Sequence, residues 1–264
     1  MDTIEAIILG IVQGLTEFLP VSSSGHLQIA KALMGVEIEQ NLLFDVTLHA
    51  ATVLSTIVVL WSEVVRLLRG LFSRRFNEEQ AYVLKLLLSM IPIGIVGFTL
   101  KERLDALLES PAILLVVGCM LLVTAALLAF AYYAKPRQKT QLSYRDALLI
   151  GVAQAAAAMP GLSRSGATIA TGLLLGNRKQ TVAQFSFLMV LAPILGETFL
   201  ELIGGDLGTQ SVGTAPLAAG FVAAFVVGCL ACKFMIEIVK RGKLVWFALY
   251  CAAAGAVSIL SYIL

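Results

Sequence analysis

Six apolar stretches, at 42–61, 82–100, 111–134, 181–203, 216–236 and 244–264, dominate the chain. Each is long enough to cross a hydrocarbon core of roughly 30 Å, which takes about 20 helical residues. Inside hydrocarbon no water is available to hydrogen-bond the backbone, so spans that do not form a closed barrel must be helices. With 59% hydrophobic and 14% charged residues and a mean hydropathy of +0.91, the 264 residues leave no room for a separate soluble domain. A net charge of +2 says little about partners, but no run resembles a nucleic-acid-binding arm, so nucleic acid is not expected as one. The acidic start (Asp2, Glu5) and early polar interruptions read as mature protein rather than a cleaved signal.

Ahead of the first span, residues Ile4–Leu19 form an apolar run of 16 residues. As a helix it would be about 24 Å long, short of a crossing. Pro20-Val21-Ser22-Ser23-Ser24-Gly25-His26 then breaks it, and a second short piece runs to Gly35. Two short helices around a polar turn predict a re-entrant hairpin, tolerated at membrane depth only when buried in protein or lining a wet cavity. The pattern returns. An offset of 141 aligns 8–35 with 149–176 without a gap, matching Gly10 to Gly151, Gln13 to Gln154, Ser22 to Ser163, Ser24 to Ser165, Gly25 to Gly166, Leu33 to Leu174 and Gly35 to Gly176. The expectation is one membrane domain, 1–264, built of internal repeats 1–140 and 141–264, each a broken hairpin followed by three spans.

An odd number of spans per repeat turns the second copy upside down. The connections 62–81 (Arg66, Arg69, Arg74, Arg75), 135–147 (Lys135, Arg137, Lys139, Arg145), 177–180 (Arg178, Lys179) and 237–243 (Lys240, Arg241, Lys243) hold the bulk of the loop cations, whereas 36–41, 101–110 and 204–215 hold only Lys101 and Arg103. The positive-inside rule places the first group in the cytoplasm. The first hairpin then dips from outside and the second from inside, both tips nearing the midplane where inverted repeats place their sites. The fold expected is an all-α integral membrane protein with six transmembrane helices plus two re-entrant helical hairpins in an inverted-topology repeat.

The chemistry gathers in the hairpins. Pro160-Gly161-Leu162-Ser163-Arg164-Ser165-Gly166 sets a guanidinium among hydroxyls and glycines, a combination suited to phosphate oxygens. An arginine at that depth is costly and points to function. On the first hairpin Gln13 and Glu17 share a helix face, and His26 follows across the turn. A carboxylate, an imidazole, hydroxyls and a facing arginine are the parts of phosphoryl transfer. Taken singly, Ser22, Ser23 and Ser24 would cap a helix, and the same cluster could instead bind and release an anion in a transporter. Asp45 and His49 form another i, i+4 pair, either extending the site or making a local contact; Glu197 and Glu201 are placed at the outer interface, Trp61 and Trp246, near segment ends, read as interface anchors, and Pro92 and Pro193 are expected to kink their spans. Cys229-x-x-Cys232 lies on a span with no further Cys or His close by and reads as packing.

Gln13-Gly-Leu-Thr-Glu17-Phe-Leu-Pro-Val-Ser22-Ser23-Ser24-Gly25-His26, together with Pro160-Gly-Leu-Ser163-Arg164-Ser165-Gly166-Ala-Thr168, resembles the two signature regions of the bacterial undecaprenyl-pyrophosphate phosphatases of the BacA/UppP type. The resemblance covers nearly the whole chain. It implies a multi-pass enzyme of the bacterial inner membrane that hydrolyses a C55 polyprenyl diphosphate to the monophosphate and phosphate, recycling the lipid carrier of cell-wall synthesis, with membrane lipids as its surroundings. It also implies dependence on a divalent cation, Mg²⁺ or Ca²⁺. By matched position Glu17, Ser23, His26 and Arg164 are the catalytic set, Ser22, Ser24, Gly25, Ser163, Ser165, Gly166 and Thr168 contact substrate, and Gln13 and Glu17 are candidate metal ligands. Gln13 stands where the family writes Glu or Gln, leaving one carboxylate fewer for the cation. The resemblance leaves open whether Ser23 or His26 attacks phosphorus.

Overall fold

The computed structural model describes residues 1–36, 42–108, 110–133, 139–196 and 212–263, and every regular element among them is a helix apart from one isolated bridge between Lys139 and Asn177. In chain order these are α1 (Thr3–Thr16), α2 (Ser23–Met34), α3 (Leu42–Val59), α4 (Trp61–Leu71), α5 (Glu78–Thr99), α6 (Lys101–Leu108), α7 (Ile113–Tyr133), α8 (Tyr144–Ala156), α9 (Arg164–Leu174), α10 (Lys179–Met189), α11 over 191–196, α12 (Thr214–Arg241) and α13 (Val245–Ile263).

Four helices, α5, α7, α12 and α13, are long and apolar enough to cross a membrane, and α3 with α4 makes a fifth if that pair, bent by 81° around Leu60, is one span. The stretch at 181–203 is met by α10 and α11, and its remainder lies outside the described residues, as do Glu197, Glu201, Lys135 and Arg137. The architecture is thus all-helical and compatible with an integral membrane protein. Its surface agrees: Phe98, Phe130, Leu230, Trp246 and Val257 face outward, while Gln13, Glu17, Lys31, Ser89 and Gln154 are buried. A water-soluble fold would not leave so much large apolar surface uncovered.

Local chemistry sets the short helices. Asp2 and Glu5 form a capping box at the start of α1, Ser143 and Asp146 another at the start of α8, and α2 stops at Gly35 in the left-handed region. Pro92 lies within α5, which continues through it as one helix, and Pro193 within α11. Packing comes from close backbone approach, because lipid tails are as apolar as leucine and burial of grease drives little association in a membrane. α1 lies along α12 so tightly that a Cβ on Gly10 would meet the Gly220 carbonyl oxygen at 2.4 Å. α8 lies on α5 in the same way, a Cβ on Gly151 falling 2.3 Å from the Ser89 carbonyl oxygen. α7 packs against α13, and α3 against α12.

Asp45 is held from α2, not by His49. Its carboxylate accepts two hydrogen bonds from the Lys31 ammonium, at 2.9 and 2.7 Å, and Lys31 is 1% exposed. This ion pair ties the second arm of the first hairpin to α3. Cys232 is fully buried in the largest apolar cluster beside Met235 and Val239.

Candidate active site

Two turns, 17–22 after α1 and 157–163 after α8, bring the N-termini of α2 and α9 together. A Cβ on Gly25 would lie 3.6 Å from the Cα of Gly161, so the hairpin tips touch. Each helix begins alike. The Ser22 hydroxyl accepts from the Gly25 N–H at 3.4 Å and lies 3.4 Å from the Ser24 hydroxyl; the Ser163 hydroxyl accepts from the Gly166 N–H at 3.1 Å and lies 3.3 Å from the Ser165 hydroxyl. Capping uses one acceptor position on each hydroxyl and leaves its proton available to a neighbour.

The first helical residue differs between the two: Ser23 in α2, Arg164 in α9. Both reach the same carboxylate. Arg164 Nη2 is ion-paired with Glu17 Oε1, while Glu17 Oε2 accepts from Ser23 Oγ at 2.8 Å and from Gln13 Nε2 at 2.9 Å. Glu17 is 7% exposed, so this charge stands in a poorly solvated place and its partners decide whether it is tolerated. Phe18 anchors it: the neighbouring ring meets Phe187 of α10 edge-on at 5.7 Å inside the largest apolar cluster. Ser165 Oγ donates to the Leu19 carbonyl at 3.1 Å, a second tie between the turns.

α7 is the surface on which both tips rest. The Ser163 N–H donates to Thr124 Oγ1 at 3.0 Å, and Val117 abuts Gly25 and Gly161. Gly161 has φ +90, and a Cβ there would come within 2.6 Å of the Val117 Cα and carbonyl oxygen, so this turn requires glycine for both its conformation and its proximity to α7. Ser22 is the one non-glycine residue with positive φ (70) among the described residues, a strained position beside the proposed reacting groups.

His26 makes its own hydrogen bonds outside this cluster. Its Nδ1 lies 2.8 Å from the Ser22 carbonyl oxygen and its Nε2 2.7 Å from the Tyr250 hydroxyl of α13. Thr168 likewise bonds its own helix, donating to the Arg164 carbonyl at 2.9 Å. Of the residues singled out in the sequence, Gln13, Glu17, Ser23 and Arg164 are thus joined directly, the serines and glycines frame them, and His26 stands at the edge on a contact of its own. Thr124 and Tyr250 were missed. Thr124 had a signal, as a lone threonine in the very apolar 111–134 stretch, whereas nothing local marks Tyr250, 224 residues from His26.

A narrow cleft of about 10 Å³, room for about one water, opens beside Glu17, Arg164 and Ser165 and is walled by Thr52, Thr56, Ser186 and Ile194. Among the described residues no three His, Cys, Asp or Glu side chains gather into a metal-binding group. The Gln13 amide oxygen is nevertheless buried with no hydrogen-bond partner, next to the Glu17 carboxylate. That donor set fits a hard cation that keeps most of its ligands as water and phosphate oxygen.

Over 98% of each chain the sequence is 62% identical to a protein of Parabacteroides distasonis and 59% identical to one of Bacteroides fragilis, and it is 35% identical, again over 98% of each, to one of Methanosphaera stadtmanae; all three are named undecaprenyl-diphosphatase. The family described as bacitracin resistance protein BacA matches residues 6–257, a stretch that holds both turns and the site residues just placed around them. By that match, and by its identity to these relatives, the chain belongs to the BacA family.

Proposed function

We propose that the chain is an undecaprenyl-diphosphatase, cleaving undecaprenyl diphosphate to undecaprenyl phosphate and inorganic phosphate and so recycling the lipid carrier of peptidoglycan synthesis. One observation carries the reading: a hydroxyl from one hairpin and a guanidinium from the other converge on the same buried carboxylate. Two helix N-termini meet there as well, and the positive end of a helix dipole favours phosphate.

In the mechanism we favour, Ser23 Oγ attacks the terminal phosphorus while its proton passes to Glu17 Oε2, its hydrogen-bond partner. The bond from phosphorus to the bridging oxygen breaks, and the electron pair leaves with undecaprenyl phosphate. Protonation cancels the Glu17 charge, which loosens the Glu17 hold on Arg164 as negative charge builds on the phosphoryl oxygens. Arg164 exchanges one anion for another, and its planar fork suits the second. Water then attacks the phosphoserine and gives its proton to His26, while Glu17 returns a proton to Ser23. A divalent cation, Mg²⁺ or Ca²⁺, would be held by the Gln13 amide oxygen and, while it is ionised, by Glu17, together with the substrate, and would neutralise part of the diphosphate charge.

The same reading includes six spans, two re-entrant hairpins and an inverted repeat in the bacterial inner membrane, with the site opening outward. In support, the offset of 141 that aligns the hairpins also carries 78–99 onto 219–240, inside α12, so that α1 on α12 and α8 on α5 become equivalent packings. Membrane-impermeant detection of hydrolysis only in the inner leaflet would reverse the orientation.

The test is phosphate release from undecaprenyl diphosphate by the pure protein in detergent, with and without chelator. A transporter would bind without cleaving. Within that assay Ser23→Ala is expected to abolish turnover; a variant that keeps most of it, while His26→Ala loses it, makes His26 the nucleophile.

A further inference from the structure

Tyr250 belongs to no motif, yet its hydroxyl is 2.7 Å from His26 Nε2 and the two rings stack, with centroids 5.6 Å apart and planes inclined by 19°. On the other side of the imidazole, Nδ1 lies 2.8 Å from the Ser22 carbonyl oxygen. A carbonyl can only accept, so Nδ1 carries the proton; in the neutral ring Nε2 is then the acceptor and the tyrosine hydroxyl its donor. The same Ser22 carbonyl also accepts the His26 backbone N–H at 3.2 Å, which fixes the imidazole to the first turn of α2.

The ordinary explanation for a tyrosine on a spanning helix is an interface anchor. Two features argue for more. The hydroxyl of an anchor meets water or headgroups, whereas this one meets a ring nitrogen in a hairpin tip. The next residue touches the same tip: Cys251 Sγ donates to the Pro20 carbonyl at 3.3 Å, and Cys251 joins Val21, Val117 and Leu121 in one apolar cluster. α13 therefore meets the turn at two successive residues.

We propose that Tyr250 is a positioning residue for the phosphatase reaction: with the Ser22 carbonyl it holds His26 as the Nδ1–H tautomer and presents Nε2 as the basic nitrogen. This rests on the reading of His26 as a member of the reacting set. Nε2 cannot take a proton from water while Tyr250 donates to it, so the hydroxyl must swing aside or relay the proton once the monophosphate lipid has left.

The chain has two histidines, so ¹⁵N-histidine NMR in detergent resolves both, and His49→Gln assigns them by difference. The wild type is expected to show the Nδ1–H pattern for His26. Tyr250→Phe keeps the stacked ring and removes only the hydroxyl; it is expected to give a mixture of tautomers and to lower kcat on the order of tenfold, with KM within about twofold and an unchanged melting temperature. An unmixed tautomer with undiminished kcat overturns the proposal. Loss of activity that tracks loss of fold, with the Nδ1–H pattern intact in the remaining folded protein, overturns it too. If the wild type releases phosphate and Tyr250→Phe behaves like it, the positioning role fails while the phosphatase stands; if the wild type releases none, the phosphatase reading itself has failed.

Discussion

Replacing Gly161 with alanine tests whether the seat of the second hairpin on α7 is what aims Arg164. At φ +90 an L-residue with a Cβ costs about 1–2 kcal/mol. The new Cβ would also lie 2.6 Å from the Val117 Cα and carbonyl oxygen and 3.0 Å from its carbonyl carbon, all backbone atoms of a packed helix that cannot rotate away. Overpacking of that kind costs about 1–3 kcal/mol, for a total of about 2–5 kcal/mol. The chain can absorb this by losing stability or by lifting the tip, and lifting it displaces Arg164 three residues on, where a shift of about 1 Å costs on the order of 10²-fold in rate. Thermal melting in detergent and phosphate release from undecaprenyl diphosphate, measured on one preparation, separate the two routes. Gly94→Ala is the control, because nothing lies within 4 Å of a Cβ there and the residue is inside α5; it is expected to be neutral or slightly stabilising. If Gly161→Ala melts and turns over like the wild type, the contact with α7 is not what positions the arginine.

Arg164→Lys is expected to lose about 10²-fold or more in kcat/KM, since a point charge does not reproduce a planar fork on phosphoryl oxygens; near-normal turnover removes the clamp. At the Lys31–Asp45 pair the two truncations should be unequal: Asp45→Ala strands an ammonium that is 1% exposed, at about 3–5 kcal/mol, whereas Lys31→Met leaves a carboxylate with 32% of its side chain exposed and able to reach water, at about 1–2 kcal/mol. Melting temperatures in the reverse order would refute this. Burial raises the Asp146 carboxyl pKa, but the Ser143 hydrogen bonds and the Lys139 ammonium together bring it below its ordinary value. The stability this contributes is therefore present above the unfolded pKa of about 3.9 and disappears as pH falls through the lower folded value. The gap in melting temperature between wild type and Asp146→Asn is expected to be steady near neutrality and to close only in acid.

Much of the candidate site was legible because its signals are local. The spacing of Gln13 and Glu17 put both on one face, and the side chains are bonded; the serine-rich turns read as helix starts, and α2 and α9 begin there. What escaped is what the fold brings from far away. Asp45 had His49 one turn on, yet its partner is Lys31 on another helix. Tyr250 carried no local mark at all. The bend around Leu60 escaped for another reason: no proline or glycine lies at the break, and the arginines after it read as a connection, whereas 61–71 is a helix of its own.

α1 rests on α12, separated from it in sequence by about two hundred residues. A ribosome therefore releases the segment bearing Glu17 long before the surface that receives it exists, and the nascent chain must shelter a carboxylate and three serines in the bilayer until α12 has been made. That segment is made early and seated late. Lesions that slow or misdirect α12 would then leave the hairpin of α1 and α2 exposed to quality-control proteases, although the damage lies about two hundred residues away.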